Sequence, residues 1–310
     1  MSCFESIIPV KTGIQMDSCL RSNGVRGLIF FCLFFLFPFL FFSQTDTVRV
    51  KNHLTNITKT ETSRNHGNLK LLNGIADYIM CEFKIHHAKE TSFQEYEVNG
   101  KTYKNVIASY GNLEAPRIVV GAHYDVCGFQ EGADDNASGV VGLLELARLL
   151  DGINLDIRID LVAYTLEEPP YFRTEFMGSH IHSKYLVDNN IDVIGMVCLE
   201  MIGYFDDAKK SQDYPLGLLK LFYGSKGDYI TVVKKPGGGK FARKYTKVFK
   251  SQDFIKTKKF VGPTCLPGVD FSDHLNYWKY NFSALMITDT AFYRNKNYHE
   301  KGDVMESLDI

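Results

Sequence analysis

The sequence predicts an α/β fold: a mostly parallel central sheet, mixed at its edge hairpin, with helices on both faces. Three observations lead there. From residue 117 onward, short strand-like apolar runs alternate with stretches whose apolar residues recur at helical spacing, the pattern of parallel sheets built from strand–helix units. Upstream, QEYEVNGKTYKNVIASY (94–110) alternates polar and apolar residues around Asn99-Gly100, a dipeptide that supplies the positive φ of a two-residue hairpin turn. Finally, 310 residues with 45% hydrophobic and 23% charged residues can bury a core and do not read as disordered or collagen-like.

Residues 1–44 read separately from the fold. Lys11, Arg21 and Arg26 precede LIFFCLFFLFPFLFF (28–42), which holds eight of the 23 Phe residues, and Ser43-Gln44 follow. A basic flank, an apolar stretch and a small or polar exit resemble a signal peptide cut near Gln44, so the protein is expected to be exported, periplasmic or secreted. The competing reading is an uncleaved membrane anchor, but spanning a bilayer takes about 20 apolar residues and Pro38 interrupts this run. Residues 45–67 are polar and read as a linker, leaving 68–310 as a single domain.

Within that domain NLKLLNGIADYIMCEF (68–83) reads as an amphipathic helix, followed by the hairpin. Then come RIVVGAHYD (117–125) as strand, GVVGLLELARLL (139–150) as helix, DIRIDLVAYT (156–165) as strand, GSHIHSKYLVD (178–188) as helix and DVIGMVCLEMIGY (192–204) as strand. Residues 206–259 hold thirteen Lys and one Arg against five Asp, a local net charge of +9, with Gly237-Gly238-Gly239 in the middle. Lys followed by Ser or Thr in a strand–loop–helix register is absent, so no phosphate-cradling loop is assigned; the segment reads as a mobile loop and a solvated basic helix, GKFARKYTKVFKSQ. SDHLNYWKYN (272–281) reads as helix and FSALMIT (282–288) as a buried strand.

Lys plus Arg is 35 and Asp plus Glu 36, which removes the bulk electrostatic case for a nucleic-acid binder. Seven Cys stand at 3, 19, 32, 81, 127, 198 and 265 without a close C-x-x-C pair, which argues against a cysteine-based zinc site. No disulfide is assigned, and Cys127 and Cys198 read as small buried hydrophobes.

The polar residues with chemistry follow the strand-like runs, where open α/β sheets place their sites. His123-Tyr124-Asp125 would let Asp125 accept the second ring proton of a metal-bound His123, although a lone His-x-Asp does not separate a ligand from a core histidine. In GADDNASG (132–139) a helix N-cap with an acidic first turn accounts for one carboxylate of Asp134-Asp135 but not for two between glycines. Glu167-Glu168 is either an exposed pair or a pair whose members face a metal and a water. Glu200 ends a run too apolar for a surface strand and needs a partner. Tyr298-His299 brings a second histidine from the far end of the chain. Two histidines and at least three carboxylates suit zinc, and for two cations a bridging carboxylate is expected.

These residues carry a resemblance. HYD (123–125), GADDNASG (132–139), LEEPP (166–170) followed by MGS (177–179), LEMIGY (199–204), SDH (272–274) and YHEKGD (298–303) look like the co-catalytic zinc aminopeptidases of metallopeptidase family twenty-eight, relatives of bacterial leucyl aminopeptidase and glutamate carboxypeptidase. The resemblance covers residues 68–310 and implies a zinc-exopeptidase-like fold, two Zn2+ ions, and peptide substrates with a free N-terminus. By position it gives His123 and Glu200 to one zinc, Glu168 and His299 to the other, and Asp135 to both. It makes Glu167 the general base for a water shared by the metals, Asp125 the partner of His123, and Tyr298 a donor to the developing oxyanion. Two departures stand out. Many relatives have Asp at the position of Glu200, and they continue into a long final helix where only eleven residues follow His299, so the domain is expected to be shortened there. A single-zinc glutaminyl-peptide cyclotransferase and a non-catalytic, peptidase-like interaction domain are the alternatives, against which stand the retained His123, Asp135 and His299.

Overall fold

A computed structural model of the protein describes residues 45–252 and 255–310; the apolar stretch 28–42 lies outside them. Asn99 and Gly100 both take positive φ, 51° and 74°, and turn β1 (Glu90–Val98) into β2 (Lys101–Gly111) as the hairpin the sequence predicts. Four parallel strands follow as the centre of the sheet: β3 (Arg117–His123), β4 (Arg158–Tyr164), β5 (Val193–Leu199) and β8 (Ala284–Thr288). With β6 (Ile230–Lys234) and β7 (Thr257–Val261) the sheet order is β1-β2-β4-β3-β5-β8-β6-β7. β2 is antiparallel to β4 and β6 to β8, so the parallel centre is flanked by antiparallel steps on both sides.

Alternation along each central strand feeds two cores. Val120, Leu161, Ala163 and Val197 face one layer, while Val119, Val162, Met196 and Cys198 face the other. The first layer holds α2 (Leu69–Ile85) and α3 (Gly139–Leu150); the second holds α4 (Gly178–Asp188) and α6 (His274–Lys279). The bounds of α3 and α4 coincide with the predicted stretches, because each is an uninterrupted helical-period run opened by glycine after a polar loop.

Two expectations need correction. Residues 45–67 are not a linker throughout: α1 (Thr47–Thr58) is capped by Asp46, whose side chain accepts from Val48 N at 2.9 Å, and buries Leu54 and Ile57 in the first core. Its apolar face is only Val50, Leu54 and Ile57, spaced i, i+4, i+7 among Thr, Asn and Lys, too narrow to stand out of a polar segment. Residues 206–259 are not a mobile loop before a helix. The basic helix exists as α5 (Gly239–Lys250), with Phe241, Tyr245 and Phe249 packed on the first core, and β6 and β7 flank it. Those strands escape sequence reading because they are five residues long and β7 carries Lys258 and Lys259, charges typical of a sheet edge.

If α1 is part of the domain, Ile57→Ala should lower unfolding free energy by about 2–5 kcal/mol, the range for emptying a buried aliphatic site. A denaturant titration showing a change within about 0.5 kcal/mol would return the segment to linker status.

Candidate metal centre

The parallel strands present their C-terminal ends to one crevice, and the predicted residues leave the sheet there. His123 is the last residue of β3, Glu167 and Glu168 follow β4 within four residues, and Glu200 directly follows β5. Leu166 has φ 59°, which turns the chain sharply before the glutamate pair, and Glu167 N and Glu168 N each donate to the Asp125 carboxylate at 3.2 Å. Asp135 lies in a tight segment, Ala133–Ser138, ahead of α3. Gly132 opens it at φ 60°, where a Cβ would stand 2.3 Å from Asp135 O, so only glycine fits.

Asp135 is the meeting point. Its Oδ1 is 3.4 Å from His123 Nε2 and its Oδ2 is 3.2 Å from His299 Nε2. Glu200 Oε2 approaches His123 Nε2 at 3.4 Å, and Glu168 Oε2 approaches His299 Nε2 at 3.1 Å. Glu167 Oε2 stands farther off, 3.9 Å from His123 Nε2. Tyr298 stacks on His299 with ring centroids 3.8 Å apart. His123 Nδ1 has two neighbours on Asp125: the main-chain oxygen at 3.2 Å and the carboxylate at 3.5 Å, the latter already taken up by the two glutamate N–H groups. All eight predicted residues therefore converge.

Sequence reading left out the residues that hold this arrangement. Asp303 accepts from Asp134 N at 2.8 Å and Asp135 N at 3.0 Å, fixing the backbone of the central aspartate. Asn136 Nδ2 donates to Leu199 O at 2.9 Å and to Glu200 Oε2 at 3.3 Å, and its Oδ1 accepts from Met201 N at 3.0 Å. Ser272 Oγ donates to Glu200 Oε2 at 2.6 Å. Arg64, inside the supposed linker and 2% exposed, donates to Tyr124 O at 2.9 Å, to Gly132 O at 2.6 Å and to Glu131 O. Asp273, fully buried, adds another carboxylate. The SDH and YHEKGD motifs contain Asp273 and Asp303 and were the available signal; nothing local marks Arg64.

Electrostatically the crevice is overfull of acid. Asp125, Asp135, Glu167, Glu168, Glu200 and Asp273 are each at most 8% exposed, with His123 and His299 among them. Burial pushes the Glu168, Asp273 and Asp303 carboxyls up to about 7, and raises Glu167 and Glu200 as well. Asp135 is the exception: although burial opposes it, the His123 and His299 imidazoles beside its two oxygens hold it well below the usual range. Against the effect of burial, Asp135 and Glu168 lift His299 to about 10. Burial, then the charges of Asp135 and Glu168, drive the Tyr298 phenol far upward, which keeps it a proton donor at neutral pH. Burial and the same two carboxylates push the Cys127 thiol up to about 11.

The donors fit zinc. His123 Nε2, His299 Nε2 and Glu168 Oε1 are buried without a hydrogen-bond partner among the described residues, which is expensive unless a cation takes them. Imidazole nitrogens and carboxylate oxygens are zinc ligands, and His123, Asp135 and Glu200 offer one such set with donor atoms within 4.8 Å of one another.

A family model described as Peptidase family M28 matches residues 105–310. The chain is 44% identical over 260 residues to the uncharacterized protein YfbL of Escherichia coli, across 81% of this chain and 79% of that one. It is 28% identical over 221 residues to leucine aminopeptidase 1 of Emericella nidulans, which is 66% of this chain but about half the length of that protein, 50%. Its fold is similar to that of the LapA aminopeptidase of Legionella pneumophila, with a TM-score of 0.65 at 19% identity over 85% of this chain and 67% of that one. Solved glutaminyl cyclases share the fold too.

The raised carboxyls carry a pH signature. In metal-free protein their extra protons contribute stability that is complete below the unfolded values near 4 and is lost as pH rises through about 7. A cation bound in the cluster would take the place of protons there. His182 and His274, pushed down to about 4 by burial, shift stability the opposite way but equally with and without metal. The melting-temperature gap between zinc-loaded and chelated protein should therefore widen by at least about 2 °C between about pH 5 and 7. A gap constant across that range would show that the acidic cluster does not bind the metal.

Proposed function

This chain belongs to peptidase family M28, and on that premise we propose that it is a zinc aminopeptidase whose two metals are held by His123 and Glu200, by Glu168 and His299, and by Asp135 between them. The observation that carries this reading is the pair of Asp135 oxygens, each facing a different histidine at 3.4 and 3.2 Å. When bound, the zinc ions supply Lewis acidity and acidify a water toward neutrality.

The chain's own groups do the rest. Glu167, buried and with its carboxyl raised by that burial, takes the proton of the attacking water and returns it to the leaving amine, a task suited to a carboxyl more basic than its ordinary range. Tyr298, kept protonated, donates to the oxyanion as it develops on the scissile carbonyl. Asp125, fixed by the backbone of Glu167 and Glu168, keeps His123 and the glutamate pair in register. The surplus of buried carboxylates favours a substrate that brings a positive charge, the free amino terminus of a peptide. Residues 1–44 act in this reading as an export signal removed near Gln44, which places the enzyme in the periplasm or the medium. Among the described residues no helix is long and apolar enough to cross a membrane.

Hydrolysis of unblocked aminoacyl substrates should vanish with a chelator and return with zinc, whereas N-acetylated substrates should be poor. Equal rates on blocked and free substrates would remove the aminopeptidase reading, and a single bound zinc with cyclisation of N-terminal glutamine would replace it with the cyclotransferase. The glutamate pair gives a separate test. Glu167→Gln should keep both metals and lose at least about 10²-fold in turnover, while Glu168→Ala should lower metal content. Full metal and near-normal turnover in Glu167→Gln would overturn the assignment of the base.

A further inference from the structure

Cys127 stands at the mouth of the metal centre, two residues past Asp125 and partly exposed. Its Sγ, a ring nitrogen of His299 and a carboxylate oxygen of Glu168 all lie within 4.8 Å of one another. Glu168 is 4% exposed; its Oε2 faces His299, and its Oε1 is buried with no hydrogen-bond partner among the described residues. His299 Nε2 is likewise unpartnered. The thiol thus shares its position with a buried carboxylate that has one oxygen unpartnered among the described residues, and with a histidine that faces only carboxylates.

This placement is fixed by the loop on either side. Before Cys127, Tyr124 O is held by Arg64, Asp125 by two backbone N–H groups, and Val126 is 1% exposed. After it, Gly128 O accepts from Asn65 Nδ2 at 2.6 Å. Cysteine also departs from its ordinary reading here, since a small hydrophobe would sit in the core, as Cys198 does, and not beside the Glu168 carboxylate.

The geometry points to Cys127 as a further protein ligand of the metal held by Glu168 and His299, an inference that rests on the metal centre proposed above. Zinc–sulfur and zinc–nitrogen bonds of about 2.3 and 2.1 Å put two ligands of a tetrahedral ion about 3.6 Å apart, so a trio whose atoms lie within 4.8 Å of one another reaches that spacing by closing at most about 1.2 Å. On binding, the Sγ–H bond breaks and an Sγ–metal bond forms, the proton leaving to water at the open mouth, with no change of oxidation state. A divalent cation reverses the local field set by Glu168 and Asp135, and a coordinating thiol loses its proton outright. The soft donor makes this position prefer Zn2+ and Cd2+ over Mg2+ and Mn2+.

The test uses the full chain loaded with Co2+, whose thiolate complexes show a sulfur-to-metal charge-transfer band in the near ultraviolet. The band should be present, should disappear in Cys127→Ser, and should persist in Cys81→Ser and Cys265→Ser, which change exposed thiols. In the unaltered protein, Zn2+ should slow alkylation of Cys127 by iodoacetamide, read by peptide mass mapping, at least about tenfold, because a metal-held thiolate is withdrawn as a nucleophile. Absence of the band, its survival in Cys127→Ser, or equal alkylation with and without zinc overturns the inference. Two bound Co2+ ions without a sulfur band would overturn it and leave the two-metal aminopeptidase intact, whereas failure to bind two ions falls on that broader reading.

Discussion

Everything at the C-terminal edge of this sheet answers to one constraint: six carboxylates are buried around two histidines, more negative charge than the protein's own cations there can balance. Taking isolated carboxylates out of water is costly unless they gain protons, hydrogen bonds or a cation. The chain supplies hydrogen bonds selectively. Asp125 receives two backbone N–H groups and Glu200 receives Ser272 and Asn136, while His123 Nε2, His299 Nε2 and Glu168 Oε1 have no hydrogen-bond partner among the described residues. Of these, the two imidazole nitrogens converge on Asp135. This selectivity is what a cation site requires and a merely acidic crevice does not.

Holding such a cluster requires a scaffold that does not relax it. The Ala133–Ser138 segment has nearly every polar side chain committed. Asp134 accepts from Gly203 N at 3.0 Å and from Asn295 Nδ2 at 2.9 Å, Asn136 ties to the end of β5, and Ser138 Oγ accepts from Ile202 N at 3.0 Å. Asp303 then clamps the two aspartate N–H groups from the other end of the chain. Because the central aspartate sits on backbone fixed from several directions, its two oxygens are presented to two histidines without freedom to swing toward one. Arg64 extends the same logic to the loop after β3, linking the N-terminal segment to the carbonyls of Tyr124 and Gly132. Asn65 Nδ2, donating to Gly128 O at 2.6 Å, adds a second tie from the same segment to that loop.

What the sequence determined by itself was whatever depends on neighbours along the chain. Helical period marked α3 and α4, the Asn99-Gly100 pair marked the hairpin, and carboxylates and histidines just past apolar runs marked the site, because period, turn chemistry and residue type are local properties. Tertiary structure alone decided the rest. Strand order, the antiparallel turn of β6 onto β8, and the burial of a helix as polar as α1 depend on the surface each segment meets, which no local window contains. The same holds within the site: that one Asp135 oxygen faces His123 and the other His299, that Asp125 is taken up by the glutamate backbone, and that Arg64 underpins the loop are consequences of packing between residues tens to hundreds of positions apart. Residue identity sets which charges are available; only the fold, by excluding water and fixing distances, decides which of them are brought together.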